Sequence, residues 1–152
     1  MEVFRISIEK YSGKLTSSGR ANRWNQDNEF VIYTGSSRSL ATLELVVHLS
    51  QVKPSLKYKV MVISIADDDF LYNQFLQNDL PSDWRSMNAY SNLQTLGSSW
   101  YNANSSLVLK VPSAIIPKEY NYLINTKHPD YNDHNVSLVR IEDYFWDERL
   151  FG

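Results

Sequence analysis

Apolar and polar residues alternate at the start of the chain, with Phe4, Ile6 and Ile8 set against Arg5, Ser7 and Glu9. A period of two predicts a half-buried strand there. The stretch from Ser12 to Asn28 is rich in Ser, Gly, Asn and Asp and reads as a long loop. Phe30–Tyr33 is a short apolar strand, closed by Thr34-Gly35-Ser36. A helix follows, because Ser37 or Ser39 supplies an N-cap oxygen and Leu40, Leu43 and Val47 recur at helical spacing. Pro54 ends that region. Leu56, Tyr58, Val60 and Val62 alternate with Lys57 and Lys59 and predict another strand. Asp67–Asp69 and Leu80–Trp84 read as irregular. Ser91–Tyr101 predicts a short helix that leads into a strand, Leu107–Val111, which Pro112 terminates. Asn121–Tyr131 reads as turn-rich, and Val136–Ile141 as the last strand. Strands and helices alternate irregularly, without a βαβ repeat, an internal repeat or a low-complexity linker. One α+β domain over residues 1–152 is expected.

Composition narrows the function classes. Hydrophobic residues are 43% of the chain and charged residues 21%, the balance of a folded protein rather than a disordered one. Fifteen Lys and Arg stand against 17 Asp and Glu, a net charge of -2, so no basic excess favours binding to a phosphate backbone, and no direct contact with nucleic acid is expected. Cysteine is absent, which excludes disulfides, thiolate metal sites and Cys nucleophiles. Met1–Arg5 has no apolar run and no stretch is long enough for a membrane span, so neither a secretion signal nor a membrane anchor is expected. The sequons at Asn104 and Asn135 are then read as chance.

The familiar signatures of catalysis are missing: no glycine-rich phosphate loop, no nucleophile elbow and no HExxH helix. His48, His128 and His134 lack metal-ligand spacing, so no metal is expected. Asp67-Asp68-Asp69 has the carboxylates that suit a hard cation, but the plainer reading is a solvated strand end. Three positions stand out. Glu44 shares a helix face with Leu40 and Val47; a carboxylate there is either a snorkelling edge residue or a group kept at a cleft for its chemistry. Arg23 lies beside Trp24 in a polar loop, where a surface cation–π pair is the plain alternative. Ser113, just after Pro112 at a strand end, is on its own a turn residue.

Together these positions fall into a pattern. Asn22-Arg23-Trp24-Asn25, Val31-Ile32-Tyr33 and Leu40-Ala41-Thr42-Leu43-Glu44 are followed by Leu80-Pro81-Ser82-Asp83-Trp84-Arg85 and Leu96-Gly97-Ser98-Ser99-Trp100. Then come Val111-Pro112-Ser113, Asn121–Asn125, His128-Pro129 and Asp147-Glu148-Arg149-Leu150. In this order the runs resemble the RES domain, a family named for its Arg, Glu and Ser. The resemblance places those three on Arg23, Glu44 and Ser113, and a family Tyr on Tyr33. The chain departs from the family at Asn22 and Asn28, where Gly is usual, and at Thr126, where Pro is usual. Asn tolerates positive φ better than other non-glycine residues, so the turn at Asn28 can survive.

The resemblance implies an ADP-ribosyltransferase-like fold, with central mixed sheets and flanking helices. It also implies a cytoplasmic toxin of a type II toxin–antitoxin pair that attacks NAD as its substrate and needs no metal. The partner it implies is a small helix-turn-helix antitoxin of the Xre type that covers the site, with a possible toxin homodimer inside the complex. Glu44 and Arg23 would be catalytic. Arg23, Tyr33 and Ser113 would bind the dinucleotide: Arg23 at the pyrophosphate, Tyr33 against the nicotinamide riboside, and Ser113 orienting Arg23 or the substrate. Arg23 close to Glu44 would favour the ionised carboxylate. The acceptor is left open among water, phosphate and a protein side chain. A transferase acting on one protein, or a nucleotide-binding module without catalysis, are the alternatives.

Overall fold

The computed structural model describes residues 1–50 and 52–151. The opening alternation becomes β1 (Glu2–Ile8), and the Ser-rich stretch is a loop that begins with a short 3-10 turn at Glu9–Tyr11. β2 runs over Val31–Gly35, so Thr34 and Gly35 belong to the strand they were expected to close. α1 spans Arg38–His48, and the Ser37 hydroxyl accepts the Leu40 N–H at 3.0 Å as its N-cap. β3 is Tyr58–Ile65 and β4 a short strand, Tyr72–Gln74. α2 covers Tyr90–Asn102 and β5 Val108–Pro112. β6 is Tyr120–Asn125 and β7 Val136–Asp143.

Among the described residues the strands form one seven-stranded sheet, ordered β4-β5-β6-β2-β1-β3-β7. Every pairing is antiparallel except β4 with β5. That parallel pair needs a crossover, and α2 supplies it. The expected α+β class is therefore correct, with one βαβ unit inside it.

Two expectations fail in part. Asn121–Tyr131 was expected to be turn-rich; residues 126–130 are indeed turns, but Tyr120–Asn125 is a central strand between β5 and β2. Its asparagines act as fixed hydrogen-bond partners, and Asn125, at the strand end, also opens the next turn, its Oδ1 accepting the Lys127 N–H at 2.9 Å. Asn121 donates to the Thr34 carbonyl at 3.2 Å, and fully buried Asn125 donates to the Tyr101 carbonyl at 3.2 Å. The stripe on α1 also differs. Leu40 is buried, but Leu43 and Val47 are 36% and 59% exposed, and Ala41 and Val46 are buried instead. Helix α1 is apolar nearly all round, so spacing alone admits more than one stripe. Glu44 still lies between Leu40 and Ala41 in projection, and therefore on the inward face.

Strand register places the core on both sides of the sheet. Val31, Leu109, Val111 and Leu123 share a face with Tyr33 and pack beneath α2, with Trp24, Trp84, Leu93 and Trp100. Phe4 pairs with Gly35, which puts Phe4, Val60, Val62 and Ala41 of α1 on that same face. Both helices thus lie on one side, and the seam between them runs over β2, β6 and β5. Ile32, Met61, Ile63, Val108 and Ile124 fill the other side.

α1 is tied to the sheet's edge by charge. Arg38 makes a two-bond fork to Glu142 at 2.7 and 2.8 Å, and Arg140 donates to the same carboxylate at 3.0 Å. These guanidinium groups hold the Glu142 carboxyl down at about 2. A depressed carboxyl contributes stability that is full above the unfolded value near ~4.3 and is lost as pH falls towards the folded value. Glu142→Gln should therefore flatten the acid side of the stability profile below about pH 4, read as urea midpoint against pH. The group is solvated, so the change should be small.

Candidate active site

Three elements bring the family residues to the helix side of the sheet. Tyr33 points there from the middle of β2. Ser113 lies just past β5, two residues beyond Val111, and is completely buried. Glu44 reaches in from α1. The Ser113 hydroxyl donates to Glu44 Oε1 at 2.8 Å and accepts the N–H groups of Ile115 and Ile116 at 3.1 and 3.2 Å. Two backbone donors polarise a hydroxyl whose own proton is committed to the carboxylate. Glu44 is thereby fixed through one oxygen, while Oε2 has no partner among the described residues.

Arg23 comes from the long loop, at the tip of a tight turn closed by Asn22 and Asn25. Its Nη1 donates to the Trp84 carbonyl at 2.9 Å, and its guanidinium lies 4.7 Å from the centre of the Tyr90 ring. Among the described residues neither Arg23 nor Glu44 forms an ion pair. The expected support of Glu44 by a nearby Arg23 is therefore not a contact: Ser113 supports the carboxylate. Arg23 keeps unpaired N–H donors and a positive charge for an anion.

Tyr33 has a different task from the one expected of its hydroxyl. That hydroxyl donates to Asn25 Oδ1 at 2.5 Å and accepts the Trp24 N–H at 3.1 Å, so it is committed to the loop that carries Arg23. Burial pushes the phenol well above its usual range, while the Trp24 N–H pulls the other way. Tyr33 stays neutral and holds the Arg23 turn from below. Ser113 makes no bond to Arg23; it orients Glu44. Sequence reading missed Tyr90, Asn25 and the Ile115–Ile116 amides. Asn25 stood inside a quoted run, but nothing in the spacing linked Tyr90, which opens α2, to Arg23.

The loop's own geometry is specific. Asn28 adopts φ 66°, the positive value expected where the family usually has Gly. Gly97 on α2 lets the Trp24 backbone lie directly on the helix: a Cβ there would come within 1.8 Å of the Trp24 carbonyl oxygen. The RES domain profile matches residues 2–147. The chain belongs to the RES domain family. Toxin Res of Yersinia enterocolitica is 32% identical over 99% of both chains. Toxin Res of Pseudomonas putida is 33% identical over 92% of this chain and 90% of its own length. The Prs ADP-ribosylating toxin of a Sphingobium species is 32% identical over 84% of this chain and 79% of that one. The kinship with these toxins runs over nearly the whole chain. In fold it resembles the crystal structure of the M. tuberculosis MbcT–MbcA toxin–antitoxin complex, with TM-score 0.75 over 94% of this chain and 83% of that one, at 16% identity. This agrees with the ADP-ribosyltransferase-like fold expected of a RES domain.

Among the described residues no group of three His, Asp or Glu could hold a metal ion. No helix among the described residues is long and apolar enough to cross a membrane.

Proposed function

We propose that this RES domain is the toxin of a toxin–antitoxin pair and that it stops growth by cleaving the nicotinamide–ribose bond of cytoplasmic NAD. The observation that carries this reading is the Ser113–Glu44 pair: a carboxylate on an inward helix face, held at one oxygen and open at the other. Nicotinamide leaves as a neutral amine, so no general acid is needed. The ribose passes through a cationic oxocarbenium, which Glu44 stabilises from a preorganised position. Its free Oε2 is suited to the ribose 2′-hydroxyl. Arg23 takes the pyrophosphate with its unpaired donors, and the Tyr33 ring flanks the riboside. Water or phosphate completes the reaction.

Arg23 contacts the pyrophosphate in ground and transition states alike. Arg23→Lys, which loses the fork, should raise KM for NAD at least as much as it lowers kcat. Steady-state rates on the folded variant check this.

A toxin of this kind must be silenced before it acts. Exposed Leu43 and Val47 lie beside Glu44 on the outer side of α1 and offer an apolar seat for a covering helix. An Xre-type helix-turn-helix antitoxin is the proposed partner, with two toxin copies in the assembly. Growth and cellular NAD, followed after induction of this chain with and without its neighbouring gene product, test the reading. Arrest with falling NAD, relieved by the partner and absent for Glu44→Gln, is expected. Normal growth at high soluble expression with NAD unchanged would refute it. A second reading, transfer of ADP-ribose to a protein, is favoured by the relative named an ADP-ribosylating toxin. It differs only in the acceptor, and labelled NAD would then mark a protein band.

A further inference from the structure

A second carboxylate near the site has no cation. Glu29 is 7% exposed and forms no ion pair among the described residues. Its Oε1 accepts the Gln26 N–H at 2.7 Å. Its Oε2 accepts the Ser98 hydroxyl at 2.5 Å and the Asn102 amide at 3.0 Å. Burying an unpaired carboxylate is costly, and three neutral donors only offset that cost. Each donor belongs either to the Arg23 loop or to α2. The carboxylate therefore joins the two.

The rest of the junction has the same purpose. Ser98 and Asn102 share a helix face with Gln94 and Gly97, through spacings of three and four. Gln94 donates to the Asn22 carbonyl at 2.9 Å, and Gly97 admits the Trp24 backbone. On the loop side, the Asn25 amide donates to the carbonyls of Arg20, Gln26 and Glu29 at 2.9, 3.0 and 3.2 Å. Arg23 sits at the tip of this turn, between Asn22 and Asn25. Its own anchors are one backbone carbonyl and one aromatic ring.

We infer that Glu29 is a positioning residue for Arg23, locking the loop onto α2 so that the guanidinium is preorganised for the substrate's pyrophosphate. This rests on the proposed role of Arg23. Glutamine is the informative replacement: it keeps the shape but loses the charge. Its N–H₂ must face either the Gln26 N–H or the Asn102 amide, both donors, with only the Ser98 hydroxyl free to turn and accept.

The test is a double-mutant cycle with Arg23→Lys, read as KM and kcat for NAD cleavage. Glu29→Gln alone should raise KM on the order of tenfold, the scale of one charge-assisted hydrogen bond, with kcat changed far less. In the Arg23→Lys background the same substitution should change KM little, because the group it positions is already compromised. Equal effects in both backgrounds, or a fall in kcat with KM unchanged, would overturn the inference. Ser98→Ala removes one donor without creating a new buried group, and it serves in the same cycle, with a smaller rise, if Glu29→Gln does not fold. Amide hydrogen exchange separates this idea from the functional reading. If the wild-type protein leaves NAD intact, the reading of function fails. Faster exchange confined to residues 20–29 in the variant would still support Glu29 as the lock, and unchanged exchange there would refute it.

Discussion

Glu44→Gln should leave a folded protein that binds NAD and scarcely cleaves it. The substitution keeps the size of the side chain and an oxygen for the Ser113 hydroxyl, so the 2.8 Å contact can persist. What it removes is the negative charge set against a developing ribosyl cation. Loss of one preorganised electrostatic group costs on the order of 10² to 10³ in rate. The effect should fall on kcat rather than KM, because the charge matters most once the cation forms. Circular dichroism and a thermal melt would establish folding, and steady-state kinetics would give the split.

Gly97→Ala should have the largest effect on stability of any single change near the site. The added methyl would meet the Trp24 carbonyl oxygen at 1.8 Å and its carbonyl carbon at 2.7 Å. Backbone cannot swing aside as the end of a long side chain can. The loop must lift from α2, and Trp24, which is 3% exposed, must leave its place against Leu93 and Trp100. A cost of about 3 kcal/mol is expected, at the upper end for an overpacked contact. For a domain of this length that is a fall in Tm of roughly 6–12 °C. Alanine is normally the better helix former, so propensity alone predicts the opposite sign. A Tm equal to or above wild type would show that the loop does not rest on α2.

Reading the chain by periodicity found the elements whose signals are local. β1 forms where its residues alternate in sequence, Ser37 caps α1 as its position suggests, and α2 ends within a residue or two of its expected limits. β6 was missed because asparagine is scored as a turn residue, while Asn121 and Asn125 here spend their amides on Thr34 and Tyr101. Their partners lie far away in sequence, and no local rule can see them. The same holds at the site. Arg23, Tyr33, Glu44 and Ser113 were picked out by family resemblance, but their pairings came only with the fold. Ser113 serves Glu44, and the Tyr33 hydroxyl serves the Arg23 turn. Gly97 stood in a quoted run without a role until α2 was seen against Trp24.

The most direct test of the account is nicotinamide release by the purified chain. NAD labelled in the nicotinamide ring and, separately, in the adenosine half would be incubated with wild-type protein and with Glu44→Gln, with and without cell extract. The account predicts free nicotinamide from wild type at a rate at least about 100-fold above that of the variant. It also predicts that the adenosine label stays in solution as ADP-ribose or its phosphate. Intact NAD after incubation with folded wild-type protein, both alone and with extract, would contradict it.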